Sequence, residues 1–140
     1  MHTSFKLAAL SLALLAAGCQ TTGNSSSSAP NPNEPAPQKN AAFTSEMSKF
    51  NAQFPSAKNT NYENVSLAFN NDKKLDEKGN CHGKSIHPVT IMLILDASGR
   101  VTSTMTDVEN SKAACFRQAY AGVQFPKPPV APYRKPIILK

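Results

Sequence analysis

The chain has 140 residues, 15 Lys and Arg against nine Asp and Glu, and a net charge of +6 at neutral pH. This length allows one small domain. The basic residues are scattered and are not interleaved with aromatic residues, so a nucleic-acid-binding role is not predicted.

The first 18 residues predict a lipoprotein signal peptide. A short head with Lys6 precedes an apolar run, residues 7–17, that is too short for a membrane span, which needs about 20 residues. The run ends in Leu15-Ala16-Ala17-Gly18-Cys19, which resembles a bacterial lipobox. That resemblance implies that Cys19 receives fatty acids such as palmitate and becomes the mature N-terminus. The alternative is an ordinary signal peptide followed by a chance cysteine.

The residues after Cys19 predict where the protein is held. Gln20, instead of Asp, follows the cysteine, and by the same resemblance this implies an outer-membrane lipoprotein whose domain faces the periplasm. Residues 19–41 are predicted to be the lipidated cysteine and a disordered tether, because the segment has four consecutive Ser, four Pro and no large apolar residue. The folded domain is predicted to span residues 42–140.

The first element of that domain is predicted to be a helix. Phe43, Met47, Phe50 and Phe54 recur at helical spacing, Thr44 or Ser45 is a suitable N-cap, and Pro55 ends the helix. Residues 56–64 predict a polar loop, residues 65–69 a short strand or a buried turn, and residues 70–84 an exposed charged segment.

A β-hairpin is predicted next, over residues 89–106. Val89–Leu95 has no charge and is apolar on both faces, which is typical of a central, covered strand. Asp96-Ala97-Ser98-Gly99 supplies the turn. In the second arm, Arg100–Thr106, alternation would place Val101 and Met105 on one face and the threonines on the other.

The C-terminal third predicts a helix and a last strand. The helix starts with Ser111 as N-cap and runs to about Val123. Its apolar stripe consists of Cys115, Phe116, Ala119, Tyr120 and Val123. An extended proline-rich segment, residues 125–132, follows it. Ile137–Leu139 is the last strand. The predicted fold class is therefore α+β: a small three-stranded antiparallel sheet, ordered second arm, first arm, last strand, with helices on one face.

Cysteine usage predicts one disulfide. Lipidation of Cys19 leaves Cys81 and Cys115 as a pair in an oxidising compartment, which favours a bond between them. Zinc held by these two cysteines with His82 and His87 is the alternative, but the spacing is not a recognised ligand pattern. No metal, cofactor or catalytic site is predicted, because no nucleophile motif or carboxylate pair accompanies the histidines.

The order of these features resembles the C-terminal domain of TolA and, more distantly, TonB-type C-terminal domains. The resemblance is carried by the strand, the Asp96–Gly99 turn, the second strand, the helix with Cys115, the Phe125-Pro126-Lys127-Pro128-Pro129 stretch and the terminal strand. It implies a small sheet with a disulfide that acts as a docking module. TolA binds TolB, and phage coat proteins and colicins exploit it, in part by adding a strand to its sheet.

The resemblance therefore implies a non-catalytic, periplasm-facing adaptor in cell-envelope integrity, which binds TolB-like envelope proteins or phage and colicin proteins by strand addition at an exposed edge. Two alternatives remain, a secretin pilotin and a lysozyme-inhibitor lipoprotein. The candidate partner-binding residues are those of the two expected edge strands: Val101, Thr102, Ser103, Thr104, Met105, Ile137, Ile138 and Leu139.

Overall fold

A three-stranded antiparallel sheet forms the centre of the part of the chain that the computed structural model describes, residues 29–140. The described elements, in chain order, are β1 (Gln38–Lys39), α1 (Ala41–Gln53), α2 (Ala57–Asp72), the 3₁₀ helices Leu75–Asn80 and His82–Lys84, β2 (Val89–Leu95), β3 (Val101–Thr106), β4 (Val108–Glu109), α3 (Ser111–Tyr120) and β5 (Tyr133–Leu139). The predicted α+β class and the three-stranded antiparallel sheet are confirmed.

The order of the sheet is β3-β2-β5, so β2 is central, as its apolar sequence predicts. The strand has the predicted bounds, and Gly99, with φ +92°, lies in the turn that joins it to β3. A side chain at Gly99 would collide with the carbonyl oxygens of Phe125 and Pro126. The turn therefore needs glycine for space as well as for its backbone conformation.

A β-bulge changes the alternation of β3 from the predicted one. The register against β2 shifts between Val101 and Ser103, which leaves Thr102 as an extra residue. Because paired residues share a face, Val101 lies on the same face as Thr104, and Met105 lies on the opposite face. The prediction that Val101 and Met105 share a face is wrong for this reason.

Helix α2 replaces the predicted polar loop at residues 56–64 and the predicted short strand or buried turn at residues 65–69. The helix buries a stripe that is mostly polar: Asn59, Tyr62, Ser66 and Asn70. These groups make hydrogen bonds inside the fold; the Tyr120 hydroxyl, for example, donates to Asn70 Oδ1 at 2.7 Å. The helix therefore has no apolar periodicity for sequence analysis to detect. Val65 and Leu67, which suggested a strand, are 44% and 47% exposed.

The main core lies between the sheet and the pair α2 and α3. Leu75 and Cys81 are buried in it, so the segment 70–84 is not uniformly exposed as predicted. Helix α3 contributes Phe116 and Tyr120, as its stripe predicts, but it ends at Tyr120, before Val123. The core members are Tyr62, Leu75, Cys81, Ile91, Leu93, Leu95, Val101, Phe116, Tyr120, Phe125, Tyr133, Ile137 and Leu139.

Helix α1 lies on the opposite face of the sheet, which differs from the expectation that all helices share one face. Consecutive residues of β5 bind different helices: Arg134 Nε lies 2.6 Å from Glu46 of α1, and Lys135 Nζ lies 2.8 Å from Glu63 of α2. Because consecutive strand residues point to opposite faces, α1 and α2 cover opposite sides. Phe43, which is 8% exposed, is the one buried member of the predicted stripe of α1.

The helix N-caps differ from the predicted residues. Asn40 caps α1 in place of Thr44 or Ser45, and its side chain accepts a hydrogen bond from Ala42 N at 3.1 Å. Asn110, the residue before Ser111, caps α3 and accepts from Ala113 N at 2.8 Å. Asparagine is as good an N-cap as serine, so composition alone does not fix the first residue of a helix.

Candidate protein-binding edge

Both edge strands of the sheet were predicted binding sites, and the structure shows that β5 is the more protected. Strand β5 extends from Tyr133, earlier than the predicted Ile137, and pairs with β2 along its whole length. At its outer side, Gln53 Nε2 donates to Arg134 O at 2.9 Å, and Arg134 N donates to Gln53 Oε1 at 3.4 Å. The side chain of Gln53 thus occupies the first outward position of this edge.

The rest of the β5 edge offers few groups to a partner strand. Outward-facing residues alternate along an antiparallel edge, so Pro136 and Ile138 follow Arg134. Pro136 has no N–H, and proline is a common protection of sheet edges. Ile138 is 68% exposed and has outward-facing backbone groups that no other described element binds.

The edge of β3 is covered at both ends and open between them. At the first end, Val101 N donates to Val123 O at 2.9 Å, and Gly122 N donates to Val101 O at 3.2 Å. Beyond the other end, Asn40 N donates to Asp107 O at 2.8 Å, where β1 pairs with β4. Between these contacts, no other described segment hydrogen-bonds to the outer backbone of Thr102–Met105, whereas Thr106 is fully buried.

The register shows which β3 groups point outward. Arg134 faces away from β2, so its partner Ile94, and Met92 two residues earlier, hydrogen-bond towards β3. Met105, the partner of Met92, therefore faces β2, and the N–H and C=O of Thr104 point outward. Thr104 is thus at the centre of the open part of the edge.

The predicted edge residues divide into three groups. Thr102 and Ser103 are exposed and Thr104 and Met105 are half-buried, all within the open part of β3. Val101 is buried and its backbone groups are already bonded. In β5, Ile137 and Leu139 are buried in the core, and only Ile138 is exposed.

Sequence analysis missed the residues that determine how far each edge is open. Asp107 ends the β3 pairing: its N–H donates to Thr90 O at 3.0 Å, and its Oδ1 accepts from Thr90 N at 2.8 Å. Gln53 blocks the start of the β5 edge from the end of α1. No pattern in the sequence marks either contact. Gln53 and Arg134 are far apart in the chain, and Asp107 and Thr90 are ordinary polar residues.

The segment predicted as a tether contributes to this region. Residues 38–39 form β1, and the carboxylate of Glu34 accepts hydrogen bonds from Ser85 Oγ at 2.9 Å and Ile86 N at 3.1 Å. The packed part of the chain thus begins at or before Glu34, earlier than the predicted boundary at residue 42. Cys19 and the signal peptide lie outside residues 29–140, and so does the first part of the predicted tether, residues 19–28. No helix within residues 29–140 is long and apolar enough to cross a bilayer.

Cys81 and Cys115 are at disulfide distance, with their sulfur atoms 2.08 Å apart and their Cα atoms 5.5 Å apart. The two histidines of the zinc alternative contact other groups: His82 Nδ1 lies 2.6 Å from Lys140 O, and His87 Nε2 lies 3.1 Å from Glu34 O. Among residues 29–140, no group of three His, Cys, Asp or Glu side chains is arranged to hold a metal ion.

Comparisons with known proteins add no assignment: no family model, no curated protein and no solved structure matches the chain. The class defined by the structure is therefore a small α+β domain with one disulfide-distance cysteine pair and a short open sheet edge.

Proposed function

We propose that this protein is a lipid-anchored, non-catalytic adaptor of the bacterial cell envelope, with a TolA-like domain that binds a partner protein by taking up one of its strands along β3. The open backbone of Thr102–Met105 is the observation that carries this proposal. The Cys19 motif supports the lipid anchor and, with Gln20, an outer-membrane position facing the periplasm.

Strand addition at this edge has a physical basis. An open edge presents N–H and C=O groups that a partner strand can satisfy, while pockets for alternate side chains give specificity. The open part of β3, residues 102–105, spans about 13 Å at roughly 3.3 Å per residue, which is enough to pair with a short strand. The threonines of β3 favour extended backbone because they are branched at Cβ.

The β3 edge is the better candidate of the two. The outward groups of Arg134 are already satisfied by Gln53, and Pro136 has no donor, so β5 offers an incomplete ladder. The outward groups of Thr104 have no such occupant within the described residues. A secretin pilotin is expected to be nearly all helical, and the three-stranded sheet does not fit that alternative.

Proline substitution tests the edge. Thr104→Pro removes an outward N–H without removing a bond to β2, and Ile138→Pro does the same on the other edge, which makes it the matched control. A photoreactive residue at exposed Ser103 first identifies the envelope partner by crosslinking in cells. We then expect Thr104→Pro to weaken binding of that partner at least tenfold and Ile138→Pro to leave it within twofold, since each backbone hydrogen bond contributes about 1 kcal/mol and the inserted ring also blocks the ladder.

Each other outcome argues against the proposal. Loss of binding only with Ile138→Pro would move the site to β5, and no loss with either variant would reject strand addition. Circular dichroism of both variants checks that the sheet is retained. Inhibition of muramidase by the purified protein would instead support the lysozyme-inhibitor alternative.

A further inference from the structure

Residues 31–40, which we call the arm, lie across the end of the open edge of β3. The arm pairs with β4 through Gln38 and Lys39, and Asn40 N donates to Asp107 O at 2.8 Å. This contact follows directly after the outward position at Thr106. While the arm is docked, a partner strand on β3 can extend no further than Thr106.

A carboxylate-binding site formed by Ser85 and Ile86, which we call the seat, holds the other end of the arm. Ser85 Oγ donates to Glu34 Oε1 at 2.9 Å, and Ile86 N donates to Glu34 Oε2 at 3.1 Å. Ser85 is 1% exposed, and its oxygen also accepts from His87 N and from Asn110 Nδ2, each at 3.1 Å. These two accepted bonds direct the hydroxyl proton towards Glu34, so the domain itself orients the donor.

A buried cation lies behind the seat. Lys112 is 2% exposed, and its Nζ donates to His87 O at 3.1 Å. Burial lowers the pKa of Lys112, and the negative charge of Glu34 opposes that shift. Loss of the Glu34 carboxylate would remove a charge that favours the protonated form of Lys112, so the seat favours a carboxylate as its occupant.

The arm is held by polar contacts: Glu34 binds Ser85, Ile86 and His87, and residues 38–40 bind β4 and Asp107. None of its residues is buried, and Glu34, Pro37 and Asn40 are the half-buried ones. No apolar side chain of the arm lies in the core. Segments of this kind open locally without global unfolding.

We propose that the arm occupies the binding site of a partner peptide while no partner is bound. The surface beneath the arm then binds an extended segment of the partner, which carries a carboxylate ahead of the strand that pairs with this protein. When the arm detaches, the edge from Thr102 to Glu109 becomes continuous and the seat at Ser85 and Ile86 becomes vacant. This inference rests on the proposed strand addition at β3 and extends it, because it gives the chemistry of the partner and a switch that limits its access.

Amide exchange in the full chain tests whether the arm detaches. The amides of Ile86 and Asn40 donate to contacts of the arm, whereas the Asp107 amide donates to Thr90 O within the sheet and is the internal control. We expect Ile86 and Asn40 to exchange faster than Leu93 in the core, and Glu34→Gln to accelerate both about tenfold or more, since a hydrogen bond to a charged group is lost. Exchange of Ile86 and Asn40 as slow as that of Leu93 would overturn the inference.

Two synthetic peptides test the seat in trans: NPNEPAPQKN, the sequence of residues 31–40, and NPNQPAPQKN, in which glutamine replaces the acid. We expect the first to shift the amide signals of Ile86 and Val108 in full-length Glu34→Gln protein, and the second to bind at least tenfold more weakly. In Lys39→Cys/Val108→Cys, a crosslink between these paired residues fixes the arm in place and should abolish the shifts; the two single-cysteine variants are controls. Absence of binding, or equal binding to the crosslinked protein, would overturn the inference.

The crosslinked protein also separates this inference from the proposed function, because its edge at Thr102–Met105 stays open. If Thr104→Pro weakens partner binding and the crosslink does not, the arm is rejected as a switch and strand addition is retained. If neither change weakens partner binding, both proposals are rejected.

Discussion

A buried ion pair shows how single residues join α2 to the sheet. Lys135 is 2% exposed, and its Nζ lies 2.8 Å from Glu63 Oε2, while the Tyr133 hydroxyl donates to Glu63 Oε1 at 2.6 Å. One carboxylate therefore satisfies two buried groups of β5. A charge in such a site is tolerated only while its partner is present.

Removal of Glu63 should destabilise the protein strongly. Glu63→Ala leaves the ammonium of Lys135 buried and unpaired, and we expect a loss of about 3–5 kcal/mol in the free energy of unfolding, measured by chemical denaturation. Glu77→Ala, which breaks the exposed pair with Lys74, is the control and should cost less than about 1 kcal/mol. Similar losses for the two variants would contradict this account of the buried pair.

At the scale of elements, the cysteine pair connects the end of the first 3₁₀ helix to α3. Cys81 is fully buried, and Cys115 lies on the side of α3 that packs against the core. The two residues are 34 positions apart in sequence, so a bond between them restricts a large loop of the unfolded chain. The segment between them contains all of β2 and β3, the hairpin on which the proposed binding edge depends.

Loss of this bond should matter only under oxidising conditions. We expect Cys115→Ser to lower the free energy of unfolding by about 3–4 kcal/mol on the chain-entropy model. In the presence of reductant, the free energy of unfolding of the unmodified protein should fall close to that of the variant. An equal difference between the two proteins with and without reductant would reject a stabilising disulfide.

At the scale of the whole molecule, two helical layers on one thin sheet leave the three tyrosines inside. Burial, with the charge of Glu63, raises the pKa of Tyr62 to about 12. Burial also raises the pKa of Tyr120 and of Tyr133, and the carboxylates of Asp76 and Glu63, respectively, add to the effect. The chain has no tryptophan, so tyrosinate absorbance reports these groups directly.

Alkaline unfolding follows from these shifts. A group whose pKa is higher in the folded state than its unfolded value of 10.0 stabilises the fold below that pH, and this stabilisation is lost as the pH rises towards the folded pKa. We expect little tyrosinate below pH 10 and a steep rise above it that coincides with loss of the circular dichroism of the sheet. Gradual ionisation near pH 10 with the fold intact would contradict the burial of these side chains.

Much of the fold was predictable because its hairpin has a strong local signal. The uncharged run Val89–Leu95, the turn at Gly99 and the stripe with Phe116 and Tyr120 specify β2, the turn and α3 by themselves. Helix α2 was not predictable, because it buries Asn59, Ser66 and Asn70 and exposes Val65 and Leu67, the reverse of an amphipathic pattern.

The sequence by itself determined a central apolar strand, a hairpin, the cysteine pair and two candidate edges, since each depends on residues that are close in the chain or on composition. Only the tertiary structure decided which edge is open, because Gln53, Asp107 and the arm reach the edges from distant positions. Backbone hydrogen bonds at a sheet edge depend on what lies beside them in space, and side-chain patterns along one strand do not record that neighbour.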